Sequence, residues 1–211
     1  YISGIYYPDK TRVGWWKNGY PEYFAKVLNA PDWIGIKIKI DGEKLDLAKC
    51  KITEFKRILD MKNGYFRKRY VAELKNGKKI HVNSKRFLSI VNDELGVIKY
   101  SIKPLNFDGK IEVLADVNAD VKNQDANYDE KFWKEIETSA SVKPYTIAET
   151  YKTEFRVCTA FDMQFSFDEK PISPENIQRT EKEKYAGYSF ELPVKKDRET
   201  ILYKYAAITS S

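Results

Sequence analysis

Three side chains at alternate positions, Asp116, Asn118 and Asp120, have the residue types and spacing that open a calcium-binding loop. In such a loop glycine occupies the sixth position and a bidentate glutamate the twelfth, whereas this chain has Val121 and Asn127. Asn and Asp also favour turns, because their side chains hydrogen-bond to nearby backbone groups. The pattern therefore predicts a turn-rich loop here and no metal site.

Nucleophilic and metal-dependent catalysis find little support in the sequence. His81 is the only histidine, so Ser-His-Asp, Cys-His and multi-histidine metal sites cannot be assembled. It lies between Ile80 and Val82 on the polar side of a predicted strand, which indicates a solvent-facing residue. Neither the glycine-rich loops of nucleotide sites nor the Gly-x-Ser-x-Gly turn of hydrolases occurs. No catalytic residue is therefore assigned.

Aromatic side chains are the best candidates for ligand contact. Trp15, Trp16 and Trp33 could stack on the flat C–H faces of sugar rings, although core packing or contact with another domain is the more common use of tryptophan. Two adjacent tryptophans in a loop are hard to bury together within one domain. We expect at least one of Trp15 and Trp16 to meet a ligand or a partner surface, and both to be partly exposed.

Charge and apolar runs exclude two other classes of partner. The net charge is +6, but 37 basic residues are dispersed among 31 acidic ones, and the densest spot is only Arg67-Lys68-Arg69. A nucleic-acid surface normally carries a clustered basic stripe, so no nucleic-acid partner is expected. No apolar run approaches the length of a membrane span, so no membrane partner is expected. Cys50 and Cys158 fit no metal spacing and leave the redox compartment and the localisation open.

Strand patterns dominate the chain. From Phe66 to Val117 apolar residues alternate with polar ones in four runs, separated by Asn76-Gly77, Asn92-Asp93 and Asp108-Gly109. This pattern predicts a four-stranded antiparallel meander with one apolar face. The longest alternation, Phe155 to Phe167, predicts a strand across the middle of a large sheet with Phe161 and Phe165 buried.

About a dozen strands follow from such patterns, which predicts an all-β fold: a large antiparallel β-sandwich in a single domain, residues 1–211. The absence of an initiator Met suggests a piece of a longer protein.

Several segments leave alternatives open. Tyr1 to Tyr7 is predicted as a strand and Asp9 to Glu22 as a loop, whereas Tyr23 to Leu28 fits a strand or a helical turn. Ile52, Phe55, Ile58 and Leu59 fit helical spacing as well as a bulged strand, and their position between strands favours the strand. Asp168 to Lys184 is predicted as a loop or a weak edge element.

Several motifs in the same order as in a known family carry a resemblance. The resemblance extends from about Tyr1 to Val121, and more loosely to Ser211. The motifs are Asn29-Ala30-Pro31-Asp32-Trp33, Ile40-Asp41-Gly42-Glu43, Leu45-Asp46-Leu47, Phe55-x-Arg57-x-Leu59-Asp60-Met61, Arg86-Phe87-x-Ser89, Tyr100-x-Ile102-x-Pro104-Leu105-Asn106 with Gly109, and the segment from Asp116 to Asn123. In these motifs the chain resembles the N-terminal domain of glycoside hydrolase family 65, the family of maltose, trehalose and kojibiose phosphorylases.

The resemblance implies a super-β-sandwich of galactose-mutarotase-like architecture packed against an (α/α)6 barrel. In that family the general acid and the phosphate-binding residues belong to the barrel, so no catalytic residue is expected within residues 1–211. The implied partners are the C-terminal (α/α)6 catalytic domain of the same parent chain, a disaccharide substrate, and a second copy in a homodimer. Inorganic phosphate would be a co-substrate, with no metal or organic cofactor.

Two alternatives stay open beside this interpretation. The family also contains hydrolases, so cleavage of the disaccharide by water is one alternative to phosphorolysis. The other is a carbohydrate-binding or structural β-sandwich without an enzymatic parent. The sequence does not decide which disaccharide the parent would use.

Overall fold

The structure, a computed structural model, describes residues 1–11, 19–124 and 129–211. Trp15 and Trp16 lie outside these ranges, so their predicted exposure stays a prediction. Within the described ranges, no helix is long and apolar enough to cross a membrane. The strands there are β1 (Tyr6–Lys10), β2 (Tyr23–Val27), β3 (Ile36–Ile40), β4 (Glu43–Lys44), β5 (Lys51–Asp60), β6 (Tyr65–Glu73), β7 (Lys79–Leu88), β8 (Leu95–Pro104), β9 (Gly109–Asn118), β10 (Trp133–Ser139), β11 (Tyr145–Thr150), β12 (Arg156–Phe167), β13 (Lys170–Pro171), β14 (Glu175–Lys182), β15 (Tyr185–Val194) and β16 (Thr200–Ser210).

The strands form two large antiparallel sheets and one hairpin. The nine-stranded sheet has the order β10-β11-β12-β16-β8-β7-β6-β5, with β13 paired to β12. The five-stranded sheet has the order β14-β15-β9-β3-β4, and β1 pairs with β2 alone. The apolar faces of the two large sheets meet in one core, so the predicted all-β sandwich is confirmed.

The predicted meander is correct for three strands and wrong for the fourth. β6, β7 and β8 are neighbours, and the Asn76-Gly77 turn joins β6 to β7 as expected. β9 instead pairs with β15 and β3 in the opposite sheet. An alternating strand can present its apolar side from either sheet of a sandwich, so the pattern of β9 did not determine its partners.

The chain crosses between the sheets in the segment before β9. Leu105 continues the pairing with β7 by donating its amide to Lys79 O at 2.8 Å, and Asn106 accepts from the Lys79 amide at 2.8 Å. Phe107 is then buried in the core. These contacts bring the chain to the end of the first sheet and into the space between the two.

A second, smaller core lies beside the β1–β2 hairpin. It contains Ile5, Leu28, Phe132 and Trp133. β1 begins at Tyr6, so the strand predicted from Tyr1 to Tyr7 was placed too early. The segment from Tyr23 to Leu28 had been predicted as a strand or a helical turn, and the pairing of β2 with β1 shows that it is a strand.

Within that hairpin, the loop predicted from Asp9 onward begins too early, because Asp9 and Lys10 belong to β1. Asp9 is buried and forms an ion pair with the equally buried Lys26, with Nζ 2.5 Å from Oδ2.

The longest alternation is confirmed as β12, which lies between β11 and β16 inside the nine-stranded sheet. Phe161 is buried as predicted, but Phe165 is only partly buried and packs against the edge of the core. Part of the segment from Asp168 to Lys184 forms β14, which lies at the edge of the five-stranded sheet. The weak edge element was therefore the correct alternative for that segment.

Candidate functional site

A cleft of about 860 Å³ lies at one end of the sandwich, where the five-stranded sheet leaves the nine-stranded sheet uncovered. Four of the motifs that carry the family resemblance contribute to it. They are the segment from Asn29 to Trp33, the end of β5 with Leu59 to Met61, the end of β7 with Arg86 and Phe87, and the segment from Asp116 to Asn123 through Val121 and Lys122. Motifs that are far apart in sequence thus meet at one surface, which makes the cleft the candidate functional site.

Trp33 forms part of the cleft wall, held by its neighbours. Asp32 and Asn118 exchange backbone hydrogen bonds of 2.7 and 2.9 Å, which fixes the segment against β9. The indole ring covers Gly96 so closely that a Cβ added there would lie 2.7 Å from Cη2. Trp33 is half-buried, packs against the core and lines the cleft, and its contact with a ligand or another domain stays a prediction.

The segment that precedes Trp33 is held from the side of the smaller core. The indole nitrogen of Trp133 donates to the carbonyl oxygen of Asn29 at 2.9 Å. The Asn29 amide donates to the side-chain oxygen of Asn123 at 2.8 Å. Since both anchors come from distant parts of the chain, this side of the cleft is preformed.

The rim of the cleft exposes large aliphatic side chains. Ile90 is 94% exposed and Val91 92%, in the loop between β7 and β8. Met61 is 85% exposed in the β5–β6 turn, which is closed by hydrogen bonds from Asn63 to the Asp60 carboxylate. The same hydrogen bonds lower the pKa of Asp60. Large apolar side chains exposed beside a cleft, such as Ile90 and Met61, mark a surface that another polypeptide or a ligand covers.

A β-bulge decides which side chains of β5 face the cleft. Ile52 faces the core, and the register then shifts by one residue around Glu54, which has a φ of 55°. Beyond the bulge the odd-numbered Arg57 and Leu59 face inward, and Arg57 lies directly opposite Lys68. The bulge explains why the apolar spacing in this segment resembled that of a helix, because it changes the phase of the alternation.

Arg57, Lys68 and Arg86 lie on the uncovered part of this inner face, on the adjacent strands β5, β6 and β7; we call them the basic cluster. Burial lowers the pKa of Lys68, and the neighbouring charges of Arg57 and Arg86 lower it further. Each cation lies against an aromatic ring. The distances to the ring centroids are 5.1 Å for Arg57 and Phe55, 5.7 Å for Lys68 and Tyr70, and 4.9 Å for Arg86 and Phe66.

A buried polar group that sequence reasoning missed connects the two sheets. Lys204 of β16 is fully buried and donates from Nζ to the carbonyl oxygens of Gly35 and Asp116, at 3.0 and 2.5 Å. The Asp116 carboxylate accepts from Lys37 at 2.6 Å and from the Tyr185 hydroxyl at 3.1 Å. Burial lowers the pKa of Lys204 to about 7. The signal was available, because Lys204 occupies an inward position between two inward apolar residues of its strand.

The residues considered for calcium are used in other ways. The Asp116 carboxylate is buried and paired as described, Asp120 pairs with Lys131 at 2.7 Å, and Asn118 caps the Asp120 amide at 2.8 Å. The described residues contain no group of three or more His, Cys, Asp or Glu side chains that could hold a metal ion. The prediction of a turn-rich loop was wrong for Asp116 and Asn118, which belong to β9, whereas the hydrogen bond from the Asp120 amide to Asn118 is of the predicted type.

The remaining candidates for chemistry are separate from the cleft. His81 is half-buried on the outer face of the nine-stranded sheet, and burial lowers its pKa. Cys50 and Cys158 are free thiols, and burial raises the pKa of both. A raised pKa lowers the fraction of reactive thiolate at neutral pH.

Comparison with known proteins identifies the family of this chain. The model of the glycosyl hydrolase family 65 N-terminal domain matches residues 1–211. Maltose phosphorylase of Bacillus subtilis (strain 168) is 46% identical over 135 residues, which cover 64% of this chain and 18% of that protein. Alpha,alpha-trehalose phosphorylase of Thermoanaerobacter brockii is 31% identical over 183 residues, which cover 81% of this chain and 23% of that protein.

A solved structure supports the same fold. A provisionally named kojibiose phosphorylase from human microbiome superposes with a TM-score of 0.78 at 18% identity, over 90% of this chain and 24% of that one. The chain thus spans about a fifth to a quarter of the length of these relatives. The sandwich, the motifs that meet at its cleft and the match over residues 1–211 together establish that this chain belongs to glycosyl hydrolase family 65, as its N-terminal domain.

Proposed function

We propose that the chain is the non-catalytic N-terminal domain of a glycoside phosphorylase and that the cleft receives the catalytic part of the same parent protein. The observation that carries this proposal is the rim of the cleft, where aliphatic side chains up to 94% exposed surround the family motifs. Exposing apolar surface to water costs a free energy of roughly 25 cal/mol per Å². A domain that covers this surface removes that cost.

The parent reaction that this proposal implies is attack of inorganic phosphate on the anomeric carbon of an α-glucosidic disaccharide such as maltose, trehalose or kojibiose. A carboxylic acid protonates the leaving oxygen, and its pKa must be raised so that it keeps its proton at neutral pH. No metal or organic cofactor takes part in this scheme. Support for phosphorolysis over hydrolysis comes from the names of the relatives, which are phosphorylases.

Three carboxylates of the described residues have a lowered pKa, which fits a structural role for these three groups. The pKa is lowered at Asp60, Asp129 and Glu149 by hydrogen bonds from Asn63, Lys122 and Lys134 respectively. A lowered pKa suits a structural carboxylate and not a general acid. We therefore assign the acid and the phosphate-binding residues to a C-terminal (α/α)6 domain of the parent, and we expect the parent to form a homodimer.

An assay for glucose 1-phosphate tests the proposal. The 211-residue chain and its full-length parent are each incubated with phosphate and with maltose, trehalose or kojibiose. We expect product from the parent with one of the three disaccharides and none from the 211-residue chain. Product from the chain alone would place the chemistry in the sandwich, and glucose without glucose 1-phosphate from the parent would make the parent a hydrolase.

A further inference from the structure

The basic cluster of Arg57, Lys68 and Arg86 is not explained by packing within the domain. At the opposite end of the same three strands, Lys51 and Lys79 share the carboxylate of Glu73 at 4.0 and 3.5 Å. In the described part of the chain, by contrast, no carboxylate lies within ion-pair distance of any cluster member. Three like charges are thus held together on one surface without a counter-charge.

The geometry concentrates these charges around Lys68. Arg57 lies directly opposite Lys68 on β5, and Ser84 lies directly opposite it on β7, with Arg86 two residues farther along that strand. The bulge at Glu54 is what turns Arg57 toward Lys68. Like charges at neighbouring positions repel one another unless an anion lies between them.

The nature of the donors indicates which anion fits. Two guanidinium groups offer bidentate hydrogen bonds, which suit phosphate oxygens, and the ammonium of Lys68 and the hydroxyl of Ser84 belong to neighbouring positions of the same face. Phe55, which is 46% exposed, places an aromatic ring beside these donors. An aromatic ring beside an anion site is an arrangement that holds a sugar ring attached to a phosphate.

We propose that Arg57, Lys68 and Arg86 form a binding site for a phosphorylated monosaccharide on the inner face of the nine-stranded sheet, beside the cleft that receives the catalytic part and with Arg86 also lining that cleft. The guanidinium and ammonium groups bind the phosphate, and Phe55 contacts the sugar. The choice of a sugar phosphate rests on the proposed function, because glucose 1-phosphate is the product of the reaction proposed for the parent. The adjacent positions of the three residues on β5, β6 and β7 favour this compact ligand over an extended acidic protein segment.

Titration of the 211-residue chain, followed by amide NMR and calorimetry, tests the site. The probes are inorganic phosphate, glucose 1-phosphate, glucose and a short oligo-glutamate peptide. We expect saturable binding of glucose 1-phosphate, weaker binding of phosphate and no binding of glucose. The variants Arg57→Gln and Lys68→Gln should each weaken the binding of glucose 1-phosphate at least tenfold.

The matched control is Arg67→Gln. Arg67 precedes Lys68 on the same strand, points to the opposite face and donates to Asn83 at 2.8 Å. Arg67→Gln removes one positive charge, as Arg57→Gln and Lys68→Gln do, but from the opposite face of the sheet. The control should therefore leave the affinity for glucose 1-phosphate unchanged. A second variant, Arg57→Lys, keeps the charge but loses the bidentate geometry, and it should show an intermediate affinity. Melting temperatures of all variants establish that they are folded.

Three results would overturn the proposal. Equal weakening in Arg67→Gln and Lys68→Gln would mean attraction by the net charge alone. Binding of oligo-glutamate but not of glucose 1-phosphate would make the cluster a protein-docking surface. No binding of any anion to the chain would refute the site, and this result would leave the proposed function intact if the parent still produced glucose 1-phosphate.

Discussion

The ammonium group of Lys204 lies 3.0 Å from the carbonyl oxygen of Gly35, so that a side chain of the nine-stranded sheet reaches across the core to the opposite layer. Its second acceptor is the carbonyl of Asp116 on β9, and the ring of Phe161 lies 4.4 Å from Nζ. A buried cation that donates to two backbone carbonyls connects the layers at a fixed position. The lateral alignment of the two sheets therefore depends on one residue of the last strand.

Replacing Lys204 with Met should destabilise the chain, because two buried carbonyl groups lose a donor. We expect the free energy of unfolding to fall by about 1–3 kcal/mol, measured by urea denaturation. Lys99→Met on the neighbouring strand removes an exposed lysine and should change stability by less than about 0.5 kcal/mol. If Lys204→Met were as stable as the wild type, the free-energy cost of burying the ammonium group would equal the free energy that its hydrogen bonds contribute.

Stability should also rise with pH above neutrality. Burial, opposed by the charges of Asp116 and Asp32 and reinforced by Lys37, lowers the pKa of Lys204 to about 7 in the folded chain. Between that value and the unfolded pKa of about 10.4, the unfolded chain binds one more proton than the folded chain, so each pH unit adds up to about 1.4 kcal/mol of stability. The increase should appear in urea titrations from pH 7 to 9. It should be absent from Lys204→Met, and an equal slope in both proteins would contradict the assignment to Lys204.

A side chain at Gly35 should destabilise the chain while Asp116 is present. A Cβ at this position would overlap Oδ1 of Asp116 and lie 2.9 Å from its Cγ, so Gly35→Ala should cost about 1–3 kcal/mol of stability. In the Asp116→Ala background the overlapping atoms are gone, and the cost of Gly35→Ala should be at least about 1 kcal/mol smaller. A double-mutant cycle by chemical denaturation measures this coupling. Additive costs would mean that the strain arises elsewhere.

The two phenylalanines of β12 should differ in their contributions. Phe161 is only 2% exposed and stacks on Tyr188 at a centroid distance of 5.2 Å, so Phe161→Ala should cost about 3–5 kcal/mol. Phe165 is partly exposed at the core edge, so Phe165→Ala should cost at least about 1 kcal/mol less, because part of its ring already contacts water. Urea unfolding of both variants measures their losses of stability. Equal losses would show that the exposure of the ring does not determine the loss of stability at these positions.

Polar substitution on the cleft rim should reduce self-association without loss of stability. We expect Ile90→Ser with Val91→Ser to keep the wild-type melting temperature, since neither side chain is buried, and to lower association in sedimentation velocity at high concentration. Val142→Ser, also in a highly exposed loop position, is the control and should leave association unchanged. A wild-type chain that is monomeric at all concentrations would contradict the prediction that the exposed rim causes self-association.

The sequence predicted the type of nearly every described strand because alternation directly reflects one buried face, as in β12 and in the hairpin of β6 and β7. It could not predict that β9 leaves the meander, since both sheets present an apolar face to the same core and Ile111 or Val113 would satisfy either. Trp33, singled out by its type, lines the cleft. The basic cluster was not, because its members are distant in sequence and become neighbours only through strand pairing.

The bulge at Glu54 determines whether the odd-numbered or the even-numbered residues of β5 face inward. A point substitution in this strand changes one contact, whereas loss of a single residue at the bulge would exchange the odd and even positions that follow. Arg57 and Leu59 would then turn to solvent, and Lys56 and Ile58 would turn inward. The length of this strand, counted residue by residue, therefore specifies the surface that faces the cleft as strongly as the identity of any one amino acid does.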